Sequence, residues 1–411
     1  MWKINKRLLI VINFFWIVLI EKAFSVGALF QLGSSFDVTI STLFRIYFIF
    51  NLVHYIVLGN KIKSLKPVVF LTVTIFVSNI VGGFIAPEYF INSISITIQV
   101  LSVLSIITYI FLSKSTIINL QAFTLQLRFF GLFNALMVII SFIYPSFLIA
   151  FESAENYSGI NRSFGIMGDE VALFITYFII DALHFRKWTL FTINLIALFL
   201  TGTIGATVTF FACIVIYLFL SKKFRLASLP RTILLMTFFS LFILYNATFF
   251  SKLAVVRRIQ NNIVNTDDNS ANLRLISMQT GVNVFRDFPL LGTGFGFYQY
   301  HVTLDYLGDQ NEVIISNTFN QYLQILCEMG VVGLLIYFHF IYKIIQRLKR
   351  YKDLPRDTFA YGSGMIAYTW LMALFLTFLS GVWVLPSSFI FFLIVSLIGI
   401  HLSSIDKLLS V

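Results

Sequence analysis

Apolar stretches long enough to cross a bilayer recur along this chain, and they leave few folds open to it. They fall at roughly 8–24, 39–58, 67–86, 91–112, 127–147, 170–185, 189–201, 204–220, 232–250, 320–342, 359–380 and 387–404. A hydrocarbon core of about 30 Å is crossed by about 20 helical residues, and most of these stretches approach that length. No water reaches backbone amides inside lipid, so each such stretch must satisfy its own hydrogen bonds as a helix. The expected fold is therefore an all-α polytopic membrane protein with about twelve transmembrane helices. The seventh and eighth stretches are joined through TGTIG, which leaves their boundary soft.

Composition agrees. Only 11% of residues are charged, against about 25% in soluble domains, and the mean hydropathy is +0.89. A soluble fold could not hide that much apolar surface. The net charge of +11 does not point to nucleic acid, because no basic face interleaved with aromatics stands apart from the apolar runs. The N-terminus, MWKINKRLLIVINFFWIVLI, joins a basic start to an apolar run without a good small-residue cleavage site after it, and reads as a retained first helix. Cys213 and Cys327 both lie in apolar stretches, with no metal-site or disulfide spacing.

The cations order the helices. With the N-terminus in the cytoplasm, alternate loops should be basic. Lys3, Lys6 and Arg7, Lys61 to Lys66, Lys114, Arg186 and Lys187, Lys222 to Arg231, Lys343 to Arg356, and Lys407 all fall on that side. Arg45 and Arg128 lie within or beside helices, and Lys22, Arg162, Lys252, Arg257, Arg258, Arg274 and Arg286 face outside. This alternation puts both termini inside. It also leaves one large outer loop, residues 251–317, between helices nine and ten of a single integral membrane domain spanning 1–411. Aromatic and apolar residues occur throughout that loop, so it is expected to be structured and to pack on the membrane helices.

Within the loop stands RDFPLLGTGFGFYQYH, Arg286 to His301. Its GxGxG run lacks the GxGxxG spacing and the strand–helix setting of a dinucleotide loop, and it faces away from cytosolic nucleotides. Two readings remain. The glycines form a tight turn where a loop helix ends against the membrane, or the backbone N–H groups of Gly292 and Gly294 also approach an anionic ligand.

Several segments resemble the O-antigen polymerase and O-antigen ligase superfamily. They are ANLRLISMQTGVNVF with Arg274, the Pro289–Gly294 turn, NQYLQILCEMGVVGLLIYF at helix ten, and NRSFGIMGDEVALF, Asn161 to Phe174. The resemblance implies an enzyme of the outer face of the bacterial cytoplasmic (inner) membrane that joins lipid-linked sugars. Ligases of this family carry a His where FNQYLQ has Phe319, and neither His301 nor His339 is in register with it. That departure favours a polymerase of undecaprenyl-diphosphate-linked repeat units over a ligase, and leaves the general base unassigned. A flippase or transporter for the same lipids is the reading from another class. Related halves with broken helices would mark it, whereas this chain has one lopsided outer loop.

The reaction would break a sugar–diphosphate bond, and arginine suits the developing charge because it is always protonated and binds phosphate oxygens in pairs. The resemblance raises Arg162 and Arg274 to catalytic candidates. Arg45, Arg257 and Arg258 are diphosphate-binding candidates. Arg45 reads equally as a snorkelling side chain or a partner of Asp37, and Arg257 and Arg258 as lipid-phosphate anchors. Asp169 and Glu170 open helix six, where acids are stabilised in any case; Glu170 is preferred as a base on the resemblance, with His301 as the other candidate. Glu328 sits inside helix ten, either paired with an arginine, or beside the lipid diphosphate, or as a buried structural charge. Asp181, near the inner end of helix six, reads as structural. Tyr298, Tyr300 and Tyr306 are candidate sugar platforms. No metal site and no cofactor are expected. Expected partners are the lipid-linked glycans, the bilayer, and a chain-length regulator and flippase of the same pathway. The topology has a direct check: Asp305→Cys should react with a membrane-impermeant maleimide on intact cells, and Lys352→Cys only after the membrane is opened.

Overall fold

The computed structural model describes residues 30–32, 36–57, 66–111, 117–144, 154–157, 160–163, 171–201, 203–221, 269–298, 318 and 320–377, with scattered single positions near both termini. Within them are ten α-helices: α1 Ile40–Val57, α2 Lys66–Ile85, α3 Phe90–Phe111, α4 Ile117–Ile143, α5 Val171–His184, α6 Trp188–Leu200, α7 Ile204–Leu220, α8 Asn269–Asp287, α9 Gln321–Leu348 and α10 Phe359–Leu376. All but α8 lie on apolar stretches read from the sequence, most within a residue or two. The exceptions are α4, which starts ten residues before the stretch at 127–147, and α9, which runs on past residue 342 into basic sequence. The helices at Lys66–Ile85, Gln121–Ile143 and Phe359–Leu376, and the helical stretch Gln321–Asp353, are long and apolar enough to cross a membrane. The stretch at 232–250, and most of 8–24 and 387–404, lie outside the described residues.

The structure adds two short antiparallel hairpins to the expected all-α plan. Strand β1 (Phe30–Leu32) pairs with β2 (Phe36–Val38), and β3 (Ala154–Tyr157) with β4 (Ile160–Ser163). In the second hairpin Glu155 stands opposite Arg162. Only Ser158 and Gly159 separate its strands in sequence, a spacing suited to a tight hairpin connection.

The chain divides into two units, one of residues 1–124, 269–350 and 378–411, the other of 125–268 and 351–377. In the second unit α5 is the central helix. It is apolar around its circumference and buried along nearly its whole length, as expected of a helix surrounded by others. Its few polar groups are matched. Thr176 accepts a hydrogen bond from Trp370 Nε1 of α10 at 2.9 Å. Asp181 takes both Nε and Nη2 of Arg128, from α4, at 2.7 and 2.8 Å. The guanidinium also lies 4.6 Å from the centre of the Phe185 ring. Gly131 lets α4 approach so closely that a Cβ there would overlap the Phe178 ring. The structural reading of Asp181 gains a partner here, and the pair joins the middle of α4 to the last turn of α5.

In the first unit, α1 packs on α3 through Phe48 and Tyr109, with ring centroids 5.2 Å apart, and a hydrogen bond joins the Tyr47 and Tyr109 hydroxyls at 3.2 Å. Helix α2 packs on α3 and on α9. Hydroxyls facing the helices return to their own backbone, as Ser105 to the Leu101 carbonyl at 2.7 Å and Thr74 to that of Phe70 at 2.9 Å, so they need no water.

Helix α9 is interrupted. Gly330 has φ 64° and ψ −168°, a conformation open in practice only to glycine. The break is splinted by the segment after α8. Val331 N donates to Pro289 O at 3.0 Å and Val332 N to Leu290 O at 3.3 Å. In return Thr293 N donates to Cys327 O at 2.8 Å and Gly294 N to Glu328 O at 3.0 Å. Ser78 of α2 adds a hydroxyl to Glu328 O at 3.0 Å. Two substitutions test this packing. Asp181→Ala leaves Arg128 buried without its counter-charge and should cost about 3–5 kcal/mol, read as a lowered unfolding temperature in detergent. Gly330→Ala forces a Cβ onto Leu290 O and should cost about 1–3 kcal/mol or more in the same measurement.

Candidate functional site

The richest polar arrangement in the first unit forms where α8, the Pro289–Tyr298 segment and the first turns of α9 meet. Helix α9 begins cleanly because Asn320 caps it: its Oδ1 accepts from Tyr322 N at 3.0 Å and Leu323 N at 3.1 Å. Gln321, Gln324 and Glu328 follow at three- and four-residue spacing, so they share one face, and all three are buried. Gln321 Nε2 donates to the Tyr337 hydroxyl. Gln324 is held at both ends: Oε1 accepts from Thr318 N at 2.9 Å, and Nε2 donates to Glu328 Oε1 at 2.9 Å.

Glu328 is 4% exposed. Its Oε2 is buried without a hydrogen-bond partner among the described residues. The sequence left open a pairing with arginine. Among the described residues the recorded ion pair is Arg128–Asp181, in the other unit, and Glu328 takes Gln324 instead.

Helix α8 runs alongside α9 in the same direction. Gly281 lies against Thr318 and Leu323, and its carbonyl accepts from Cys327 Sγ at 3.0 Å. Further along, Pro289 and Leu290 meet Val331 and Val332. Tyr298 closes the junction: it packs with Val284 and Cys327, and its hydroxyl donates to Ser277 O at 3.2 Å. Burial, with Cys327 and Glu328 nearby, pushes the Tyr298 phenol well above its ordinary pKa, so it stays protonated as a donor. Tyr298 was a candidate sugar platform; it is fully buried and serves the core instead.

The glycine run is explained by this junction. A Cβ on Gly292 would overlap the Glu328 backbone, and one on Gly294 would overlap the Cα of Gly82 in α2. The Gly292 amide donates to Phe288 O at 3.1 Å and the Gly294 amide to Glu328 O at 3.0 Å. Both N–H groups named as anion donors are thus engaged inside the protein. Phe295 is fixed the same way, its amide on Ser78 Oγ at 3.1 Å and its carbonyl accepting from Asn79 Nδ2 at 3.0 Å. The tight-turn reading accounts for the run, and the surface it meets is a broken helix.

Arg274 lies in α8, one turn before Ser277 and two before Gly281 on the same face. Because α8 and α9 run in the same direction, that position lies beyond the start of α9. Arg45 lies in the second turn of α1 and is half-buried. Arg162 lies in β4. Glu170, Arg257, Arg258, His301, Phe319, Tyr300 and Tyr306 lie outside the described residues. Arg45 and Arg274 fall in the first unit and Arg162 in the second. Sequence reading weighed Glu328 without ranking it and missed Gln324. The available signal was three polar residues on one face of an apolar helix. Among the described residues, no group of three or more His, Cys, Asp or Glu side chains could hold a metal ion.

No curated protein matches the chain. Residues 189–338 match the family model Wzy_C, described as O-antigen ligase. The matched span runs from α6 through α8 and the splinting turn to beyond the break in α9. The match covers only part of the chain and is consistent with a membrane protein of the O-antigen polymerase and ligase superfamily.

Proposed function

We propose that the protein is a glycosyltransferase that polymerises undecaprenyl-diphosphate-linked oligosaccharide repeat units into O-antigen or a capsular or other exopolysaccharide. The observation that carries this reading is the family match over 189–338. It covers the segments that build the α8–α9 junction, and Phe319 stands where the resemblance puts a ligase histidine. The ligase reading is the second one, favoured by the family description itself.

In the reaction, the bond between the anomeric carbon of the growing glycan and its carrier diphosphate breaks. A bond from that carbon to a hydroxyl oxygen of the next repeat unit forms. Undecaprenyl diphosphate leaves, and the hydroxyl proton passes to a base. The leaving diphosphate gains charge in the transition state, and each preorganised cation there contributes about 3 kcal/mol. Arg162 and Arg274 are assigned to this charge, with Arg45, Arg257 and Arg258 as contacts to the diphosphate. Glu170 and His301 are the candidate bases. The assigned role of Gly292 and Gly294 is to shape the turn.

The depth of the junction supports an outer-face site. If Arg347 marks the cytoplasmic boundary, about 20 residues at about 1.5 Å each carry α9 across a core of about 30 Å. The outer boundary then falls near Glu328, and Arg274 lies beyond it at the water–lipid border, where a lipid diphosphate sits. Localisation to the bacterial inner membrane, cytoplasmic termini, and pathway partners such as a flippase and a chain-length regulator belong to the same proposal.

Deletion followed by gel analysis of surface glycan tests the function. A polymerase deletion should leave single repeat units on the surface lipid and no long chains, and loss of both overturns the reading. Arg162→Ala and Arg274→Ala should each abolish long chains while the protein still inserts at normal levels. Wild-type chain length in both variants would remove the two arginines from the chemistry.

A further inference from the structure

Helix α8 is too polar to span a bilayer, yet part of its free surface is apolar. Ser277, Thr280, Gly281 and Val284 are buried toward the junction with α9. At about 100° per residue, Leu275, Met278 and Val282 then share one flank, and all three are exposed. Half-buried Phe285 and exposed Pro289 continue that flank at the same spacing. Gln279, Asn283 and Asp287 are exposed on the opposite flank. A helix with an apolar flank and a polar flank, both free, suits the border between water and hydrocarbon.

The segment after α8 goes deeper. Helix α2 ends at Ile85, with Pro87 and Glu88 beyond it. Ser78 lies about 10 Å down the helix from that end, at about 1.5 Å per residue. Phe295 N donates to Ser78 Oγ at 3.1 Å, Phe295 O accepts from Asn79 Nδ2 at 3.0 Å, and Gly294 lies against Gly82. Ser78 also donates to Glu328 O, so it marks the same level on α9. Pro289 and Leu290 bond a turn further along α9, at Val331 and Val332. Both α2 and α9 are of spanning length and apolarity, so this level is below the border.

Two further observations fit that depth. The consecutive amides of Gly292, Thr293, Gly294 and Phe295 all have acceptors within the protein, as non-helical backbone at membrane depth requires. The side chains turned outward are Leu290 and Leu291, 69% and 56% exposed. They adjoin Val331 and Val332, which with Leu335 are exposed on α9, the surface a span presents to lipid. One apolar surface therefore runs from the flank of α8 through Leu290 and Leu291 onto the side of α9.

We infer that α8 and the turn after it form a membrane-dipping element whose partner is the bilayer itself. Met278 and Val282 rest in the acyl chains at the border, Leu290 and Leu291 reach into the hydrocarbon beside α9, and Gln279 and Asn283 stay in water. The occupant is lipid because the surface continues that of a span, at a level where lipid is the solvent. The inference goes beyond the polymerase reading and does not rest on it.

The test places single cysteines in the full-length protein at Met278, Val282 and Leu290, and at Gln279 and Asn283. Leu335→Cys is the lipid standard and Lys349→Cys the water standard. Each is labelled in detergent with a nitrobenzoxadiazole maleimide and moved into nanodiscs of phosphatidylethanolamine and phosphatidylglycerol. The wild type, whose Cys213 and Cys327 are buried, is the unlabelled control. Phospholipids with brominated chains should quench the probes at Met278, Val282 and Leu290 as strongly as at Leu335, and aqueous iodide should quench them little. At Gln279 and Asn283 the order should reverse, matching Lys349. Iodide quenching at Met278 and Val282, or at Leu290, equal to that at Lys349 would place the surface in water and overturn the inference. Protection from both quenchers would show that another polypeptide or a second copy covers it, and would overturn the inference equally.

Discussion

A backbone that stops being helical inside lipid must find partners for the groups it releases, since each one left bare costs several kcal/mol. Helix α9 meets that constraint at Gly330 by borrowing a second piece of chain. Pro289 and Leu290 supply carbonyls to the amides after the break, and Thr293 and Gly294 supply amides to the carbonyls before it. The rest of the junction follows from this exchange. The splint must lie against bare backbone, hence Gly292 and Gly294. It must also be held from behind, hence Ser78 and Asn79 on α2.

The two units handle buried charge in different ways. In one, Arg128 and Asp181 neutralise each other in a two-pronged pair, backed by an aromatic ring. Removing either partner strands the other. In the other unit, Glu328 takes the amide side chain of Gln324 in place of a cation among the described residues. An ion pair suits a joint between two helices.

Much of the helical frame was legible in the sequence, because a helix in lipid writes its length as an unbroken apolar run, and α2, α3, α6, α7 and α10 begin within a residue or two of such runs. Ends set by polar residues were harder to see. The start of α4 runs back through INLQAFTLQ, and α9 continues through Lys343 and Arg347, because a helix does not stop where hydropathy does. The hairpin holding Arg162 was invisible, since four-residue strands with Glu, Asn and Ser carry no clear alternation. At the candidate site, the glycines announced a turn, but its docking surface lay some forty residues away in sequence. The Arg128–Asp181 pair was missed for the same reason: contacts between distant residues leave no local period to read.

The splint also bears on how such a chain is made. Residues 289–294 leave the ribosome before 327–332, so the mending piece exists before the helix that needs it. On the outer-loop topology, it must already have been translocated when the start of α9 enters the bilayer. A chain whose α8 region lagged on the wrong side would present lipid with an unmended helix. On that topology, membrane insertion and tertiary folding are coupled at this point, because the mending segment and the broken helix must meet for either to be complete.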